Sequence, residues 1–319
     1  MATYFLFILG FPALIKGADF LVNGAVSVAR RLRVSELAIG LTLVAVGTSL
    51  PEFSIGIIGS MKGTGEIVIG NILGSNIVNL LMILGVASII YPLRVRVDTI
   101  RREIPFGLFG AVMLLVLAND GPVSDDAVNA LSRTDGLTLI AFMALFAAHI
   151  VTFARREKKK LEIPPTGERG VIYSSASLVA GVVLLALGGK WIVDGAVALA
   201  SVLGVSRSFV GLAIVSIGTT LPELATSVAA VRQKNPDIAI GNVVGSVVFN
   251  VFGILGVSAL IAPIPFDGQL NFDVFVMIAA TLLLFLSLFL GRKHVVERWQ
   301  GALFVACYLS YLAYLIYRG

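Results

Sequence analysis

Apolar positions run along this chain in blocks, each separated from the next by a short cluster of charge, proline or glycine. A helix needs about 20 consecutive apolar residues to cross a bilayer, and inside lipid only helices and closed barrels satisfy the backbone. Read between the charge clusters, the blocks predict ten spans, over 3–29, 35–61, 66–91, 104–118, 136–154, 171–200, 207–231, 238–262, 272–291 and 299–317. The longest polar connections are 119–135 and the basic stretch 155–170, and neither is long enough to enclose a core of its own. The expected fold class is an all-α polytopic membrane protein. Residues 1–29 lack a basic start, so the first block is expected to be a retained span and not a cleaved leader.

Composition agrees with that pattern. The 319 residues are 57% hydrophobic and 13% charged, where a soluble domain carries about 25% charge, and the mean hydropathy is +0.96. The net charge of +5 and the pI near 9.4 would suit a nucleic-acid binder, but the basic residues are sorted by connection. Alternate connections hold 18 Lys and Arg on one side, within 30–33, 94–102, 155–169, 232–234 and 292–298, against 4 on the other, Lys62, Arg133, Arg207 and Arg318. The positive-inside rule then puts the 155–170 linker in the cytoplasm and both termini outside. The charge is a topology signal, and no nucleic-acid partner is expected. A single cysteine, Cys307, excludes an internal disulfide and a thiolate metal site.

The chain also repeats itself. A shift of 171 lays residues 34–92 on 205–263 without a gap, with 23 of the 59 positions identical. Gly47-Thr48-Ser49-Leu50-Pro51-Glu52 falls on Gly218-Thr219-Thr220-Leu221-Pro222-Glu223, and Gly70-Asn71-x-x-Gly74-Ser75-x-x-x-Asn79 falls on Gly241-Asn242-x-x-Gly245-Ser246-x-x-x-Asn250. The expected organisation is a first five-span half over 1–154, the linker 155–170, and a second half over 171–319. With five spans each, the halves enter the membrane from opposite sides. Inverted repeats with a midplane site at their interface are a recurring transporter architecture.

The repeated motif offers oxygen chemistry. Glu52 and Glu223 lie deep in apolar spans, where a carboxylate is costly and marks function by default. Pro51 and Pro222 cannot donate to the carbonyls of Gly47 and Gly218, so each helix should kink and free carbonyl oxygens beside the glutamate. Freed carbonyls at this depth belong where they line a cavity or meet a cation. Asn71, Ser75 and Asn79 share one helix face, as do Asn242, Ser246 and Asn250, and the glycines between them permit close helix approach. An all-oxygen set suits Ca²⁺. The two histidines, His149 and His294, fall near cytoplasmic span ends and read as interfacial. Two carboxylates neutralise one divalent ion but repel each other without it, so another cation must replace Ca²⁺ on the return step, whether Na⁺ or H⁺. Lys16, Asp19, Lys190 and Asp194 are spaced for local pairing. Glu66 and Asp237 at span starts fit either a helix cap or an approach to the pore. An intramembrane hydrolase using the paired carboxylates and a passive channel are weaker readings, since nothing beyond the carboxylates points to hydrolysis and inversion of the repeats favours neither.

These residues together resemble the two alpha-repeats of the cation/calcium antiporter superfamily, and most closely the prokaryotic sodium/calcium exchangers. The resemblance implies that Glu52 and Glu223 coordinate Ca²⁺ and Na⁺, and that carbonyls of Thr48 and Thr219 join the Ca²⁺ site. It further implies that side chains of Ser49, Thr220, Ser75 and Ser246, with carbonyls of Ala45 and Ser216, line flanking Na⁺ sites. Asn79 and Asn250 complete the expected metal set. Some members have aspartate at the position of Asn250, including the potassium-dependent branch, so asparagine there argues against K⁺ co-transport. Gly74 and Gly245 stand where the proton/calcium branch has glutamate, which argues against H⁺ coupling. The implied activity is exchange of three Na⁺ inward for one Ca²⁺ outward across the plasma membrane, with the first and sixth helices sliding as a gate. The alternative is H⁺/Ca²⁺ or another divalent-cation exchange. No enzyme activity and no cofactor are expected; the expected partners are Ca²⁺, Na⁺ and the lipid bilayer, with a monomer as the working unit.

Overall fold

The computed structural model describes residues 2–120, 129–158, 171–202 and 216–318. Most of the 155–170 linker, Arg207 and the start of the seventh expected span lie outside the described residues. Among the described residues the chain is mostly helical, and seven helices are long and apolar enough to cross a membrane. A bent pair of helices brings the number to eight. Helix also occupies the described parts of the remaining expected spans, over Ile104–Leu117 and from Ser216 to Arg232.

The first half opens with α1 (Ala2–Leu32). The bent pair follows as α2 (Glu36–Thr48) and α3 (Leu50–Met61), then α4 (Gly65–Ile90), α5 (Ile104–Leu117) and α6 (Arg133–Lys158). The second half has α7 (Val171–Val202), the short α8 (Ser216–Thr219), α9 (Leu221–Arg232), α10 (Pro236–Ile261), α11 (Asn271–Ser287) and α12 (Arg298–Arg318). The 171-residue shift carries the bounds of α3 and α4 onto those of α9 and α10, residue for residue.

Each break occurs where the sequence removes a donor. Pro51 and Pro222 sit in the first turn of α3 and α9, where a missing amide hydrogen costs that helix nothing but ends the preceding one. Ser49 (φ −83°, ψ 12°) and Thr220 (φ −89°, ψ 1°) take the same bridge conformation between segments. The axis bends by 49° between α2 and α3.

Burial ranks the helices. In α4 and α10, 78% of the apolar window is buried, against 22–39% in the other long helices. These two form the centre, around Ile69, Ile72, Leu73, Ile77 and Phe252. At the periphery α1 and α7 pack antiparallel through glycines spaced seven apart. A Cβ on Gly10 would lie 2.9 Å from the Gly188 carbonyl, and one on Gly181 only 2.6 Å from the Leu21 amide. Only hydrogen fits between backbones that close. The outer faces of the pair expose Phe5, Ile8, Ile15, Val179 and Val183, as a lipid-facing surface requires. The 31 residues of α1 rise about 46 Å, more than the ~30 Å hydrocarbon core, so the helix tilts or extends beyond it.

Two short strand pairs clip the connections, a feature that blocks of apolar residues do not reveal. β1 (Leu93–Arg94) pairs antiparallel with β4 (Val295–Val296), and β2 (Ala130–Leu131) with β3 (Ile264–Pro265). Both pairs cross between halves: the strand after α4 joins the one before α12, and the strand after α10 joins the one before α6.

Candidate functional site

The breaks in the two bent segments face the central helices across the boundary between halves. α2 lies on α10 backbone to backbone: a Cβ on Gly241 would be 2.8 Å from the Leu37 carbonyl, and one on Gly245 2.8 Å from the Leu41 carbonyl. The small-residue spacing read from the sequence thus serves this approach. The matching segment for Gly70 falls in 203–215, outside the described residues.

That contact brings the motif side chains together. Glu52 and Glu223 are both fully buried and close enough for their charges to interact. The Ser49 hydroxyl donates to Glu223 Oε1 at 2.9 Å and lies 3.1 Å from the Ser246 hydroxyl. Ser75 donates to Glu52 Oε1 at 3.4 Å. Thr219 also reaches Glu52, and Thr48 reaches Glu223. Every carboxylate is therefore met by a hydroxyl of the other half.

The threonines are held by asparagines that the sequence reading placed on the helix face but not among the expected ligands. Thr48 Oγ1 donates to Asn242 Oδ1 at 3.0 Å, and Thr219 Oγ1 to Asn71 Oδ1 at 3.3 Å. Asn242 Nδ2 then donates to the Glu223 carbonyl at 3.2 Å and to Ser227 Oγ at 3.1 Å. The Ala45 carbonyl accepts from the Ser49 amide at 3.0 Å and the Thr48 hydroxyl at 3.2 Å. That hydroxyl has alternative acceptors in Asn242 and, at 3.1 Å, the Val44 carbonyl, so it can release Ala45 without losing a partner. Ser216 opens α8, and Thr220 is buried at the second break.

Asn79 and Asn250 are fully buried within widened π-helical turns, Val78–Ile83 and Phe249–Leu255. Such turns insert one residue into a helix and are frequent at functional sites. Of nine buried side-chain oxygens without a hydrogen-bond partner among the described residues, four come from the repeated motif: Oε2 of Glu52, Oε2 of Glu223, Oδ1 of Asn79 and Oδ1 of Asn250. Buried polar atoms are normally paired, and this set comes two by two from equivalent positions. Among the described residues no group of three or more His, Cys, Asp or Glu could hold a metal. A cation here would take most of its ligands from neutral oxygen, as the donor set allows.

The remaining charged residues lie apart from this cluster. Lys190 pairs with Asp194 at 2.9 Å on an exposed face. Asp19 accepts from Gln233 at 3.3 Å, and among the described residues no ion pair joins it to Lys16. Asp237 lies in the first turn of α10, 3.9 Å from Arg96, and Glu66 in the first turn of α4. His149 meets the buried Glu103 at 3.0 Å. Several buried polar residues escaped the sequence reading, Glu103, Ser227 and Asn76 among them. Asn76 stands beside Ser75 on α4, and the only signal for it was that its counterpart under the repeat is the apolar Val247.

Comparison with known proteins adds an independent line. The family model described as "Sodium/calcium exchanger protein" matches residues 2–152 and 173–317. The sodium/calcium exchanger MaX1 of Methanosarcina acetivorans is 31% identical over 99% of both chains. The inner membrane protein YrbG of Escherichia coli is 34% identical over 97% of this chain and 95% of its own. Among solved structures, the sodium-calcium exchanger NCX_Mj soaked with Na⁺ and Sr²⁺ superposes with a TM-score of 0.83 at 31% identity, covering 98% of each chain.

Proposed function

The chain belongs to the sodium/calcium exchanger protein family, and from that premise we propose that it is a secondary active antiporter. It carries Na⁺ inward, three per cycle, against one Ca²⁺ outward, by alternating access at a midplane site between two inverted five-helix halves. The observation that carries the reading is the group of four unpartnered buried oxygens, two carboxylate and two amide, drawn from equivalent positions of the repeat.

In the proposed site Glu52 and Glu223 bridge Ca²⁺, with carbonyls of Thr48 and Thr219 as further ligands. Ser49, Thr220, Ser75 and Ser246, with the carbonyls of Ala45 and Ser216, form the flanking Na⁺ positions, and Asn79 and Asn250 border the centre. Two carboxylates balance one divalent charge. Without a cation they repel in a medium of low dielectric, so the unloaded site resists reorientation and release of one ion awaits arrival of the other. That coupling makes the cycle an exchange. Three Na⁺ for one Ca²⁺ moves one net positive charge inward, so the membrane potential drives export.

Support for inversion comes from the odd number of spans per half, the sorting of 18 basic residues from 4, and helix bounds that repeat at 171. In the proposed orientation both termini lie outside the plasma membrane. The close α1–α7 pair supports their movement as one gating body.

The test is ⁴⁵Ca²⁺ uptake into Na⁺-loaded proteoliposomes. Uptake should follow the outward Na⁺ gradient, generate an inside-negative potential, and fall to background in Glu52→Gln and in Glu223→Gln. Uptake driven as well by a pH gradient alone, or surviving both substitutions, overturns the proposal.

A further inference from the structure

Asn76 is fully buried on α4, and its orientation is fixed by what surrounds it. Its Nδ2 lies 3.5 Å from the Val247 carbonyl and 3.4 Å from Met277 Sδ. Both neighbours can only accept, so the nitrogen faces them and Oδ1 faces the other way. There it accepts from Asn250 Nδ2 at 2.9 Å. With its nitrogen so committed, Asn250 leaves Oδ1 buried and without a hydrogen-bond partner among the described residues. That oxygen extends the helix face on which Ser246 and Asn242 meet Ser49 and Thr48. Turning the Asn250 amide over would set two carbonyl oxygens against each other.

The first half lacks this device. At the position equivalent to Asn76 the second half has Val247, and Asn79 has neither amide atom hydrogen-bonded among the described residues. Its amide can present nitrogen or oxygen equally well.

We propose that Asn76 is a positioning residue that locks the Asn250 amide with its carbonyl oxygen toward the transported cation, so that the two halves of the site differ: one asparagine is a fixed oxygen ligand, and the other must turn to become one. The proposal rests on the cation site described above. A ligand already oriented binds without an ordering cost; the lock therefore acts on affinity and not on the rate of the conformational step.

Two readouts test it on the full-length purified chain. One is the concentration of Ca²⁺ giving half-maximal thermal stabilisation in detergent; the other is KM and maximal rate of Na⁺-driven ⁴⁵Ca²⁺ uptake. Asn76→Val should raise the half-saturating Ca²⁺ and the KM by about threefold to tenfold, the range one oriented ligand contributes, with the maximal rate within about twofold. Asn250→Asp supplies the control, because a carboxylate has two like oxygens and needs no orienting. Adding Asn76→Val to Asn250→Asp should not raise half-saturation further, because there Asn76 Oδ1 faces a carboxylate oxygen and offers it no hydrogen bond. An equal loss of affinity in both backgrounds, or a lower melting temperature without Ca²⁺ and no change in half-saturation, overturns the inference. Absence of Na⁺-driven uptake in the unsubstituted chain would overturn the antiport reading instead, while the binding measurement still decides the role of Asn76.

Discussion

Asn242 and Asn71 occupy the same place in the repeat and accept from equivalent threonine hydroxyls, Thr48 and Thr219, yet their surroundings differ. Asn242 Nδ2 has two acceptors, the Glu223 carbonyl and Ser227 Oγ. Asn71 Nδ2 has no partner among the described residues, and the residue matching Ser227 is Gly56. Replacing a buried residue that satisfies several groups strands them all, at about 1–3 kcal/mol per group. Asn242→Ala should therefore lower the melting temperature in detergent clearly more than Asn71→Ala, and equal shifts would contradict the asymmetry. At this scale the sequence showed the glutamates, prolines and the asparagine–serine stripe, because exact repetition made each visible twice. Asn76 was hidden for the same reason: what occurs in one half only leaves no mark in a self-comparison.

Among the elements, α1 and α7 make one body and touch the rest more lightly. Their contact includes the Ser27 and Ser174 hydroxyls at 2.6 Å, whereas Asp19 on α1 reaches outside the pair to Gln233 at 3.3 Å. In a Cys307→Ala background, a disulfide between Ser27→Cys and Ser174→Cys should leave exchange intact, since in the proposed cycle it joins parts that move together. Bridging Asp19→Cys and Gln233→Cys with a short bis-maleimide should stop it. The reverse result would place the moving boundary elsewhere. The helix breaks at Ser49 and Thr220 were legible from proline placement alone. The π-helical turns were not, because their cause lies in how α4 and α10 pack and not in any local residue preference.

For the whole molecule, the pattern of apolar blocks located the described helices to within a few residues, and charge sorting proposes their sides. That assignment predicts that, again in the Cys307→Ala background, Lys62→Cys is labelled in intact cells by a membrane-impermeant maleimide and Arg156→Cys only after permeabilisation. Labelling of both from outside would contradict the proposed orientation. The strand pairs lay beyond sequence reading, since two-residue ladders have no periodicity to detect. They have a consequence for origins. Each half leaves one strand edge near its middle and another before its last helix, and each edge is closed by the other half. A half-length ancestor would have had both edges bare on its own. Paired with a second copy of itself, it would have been clasped at both, so a fusion of two such copies would join edges that already close each other.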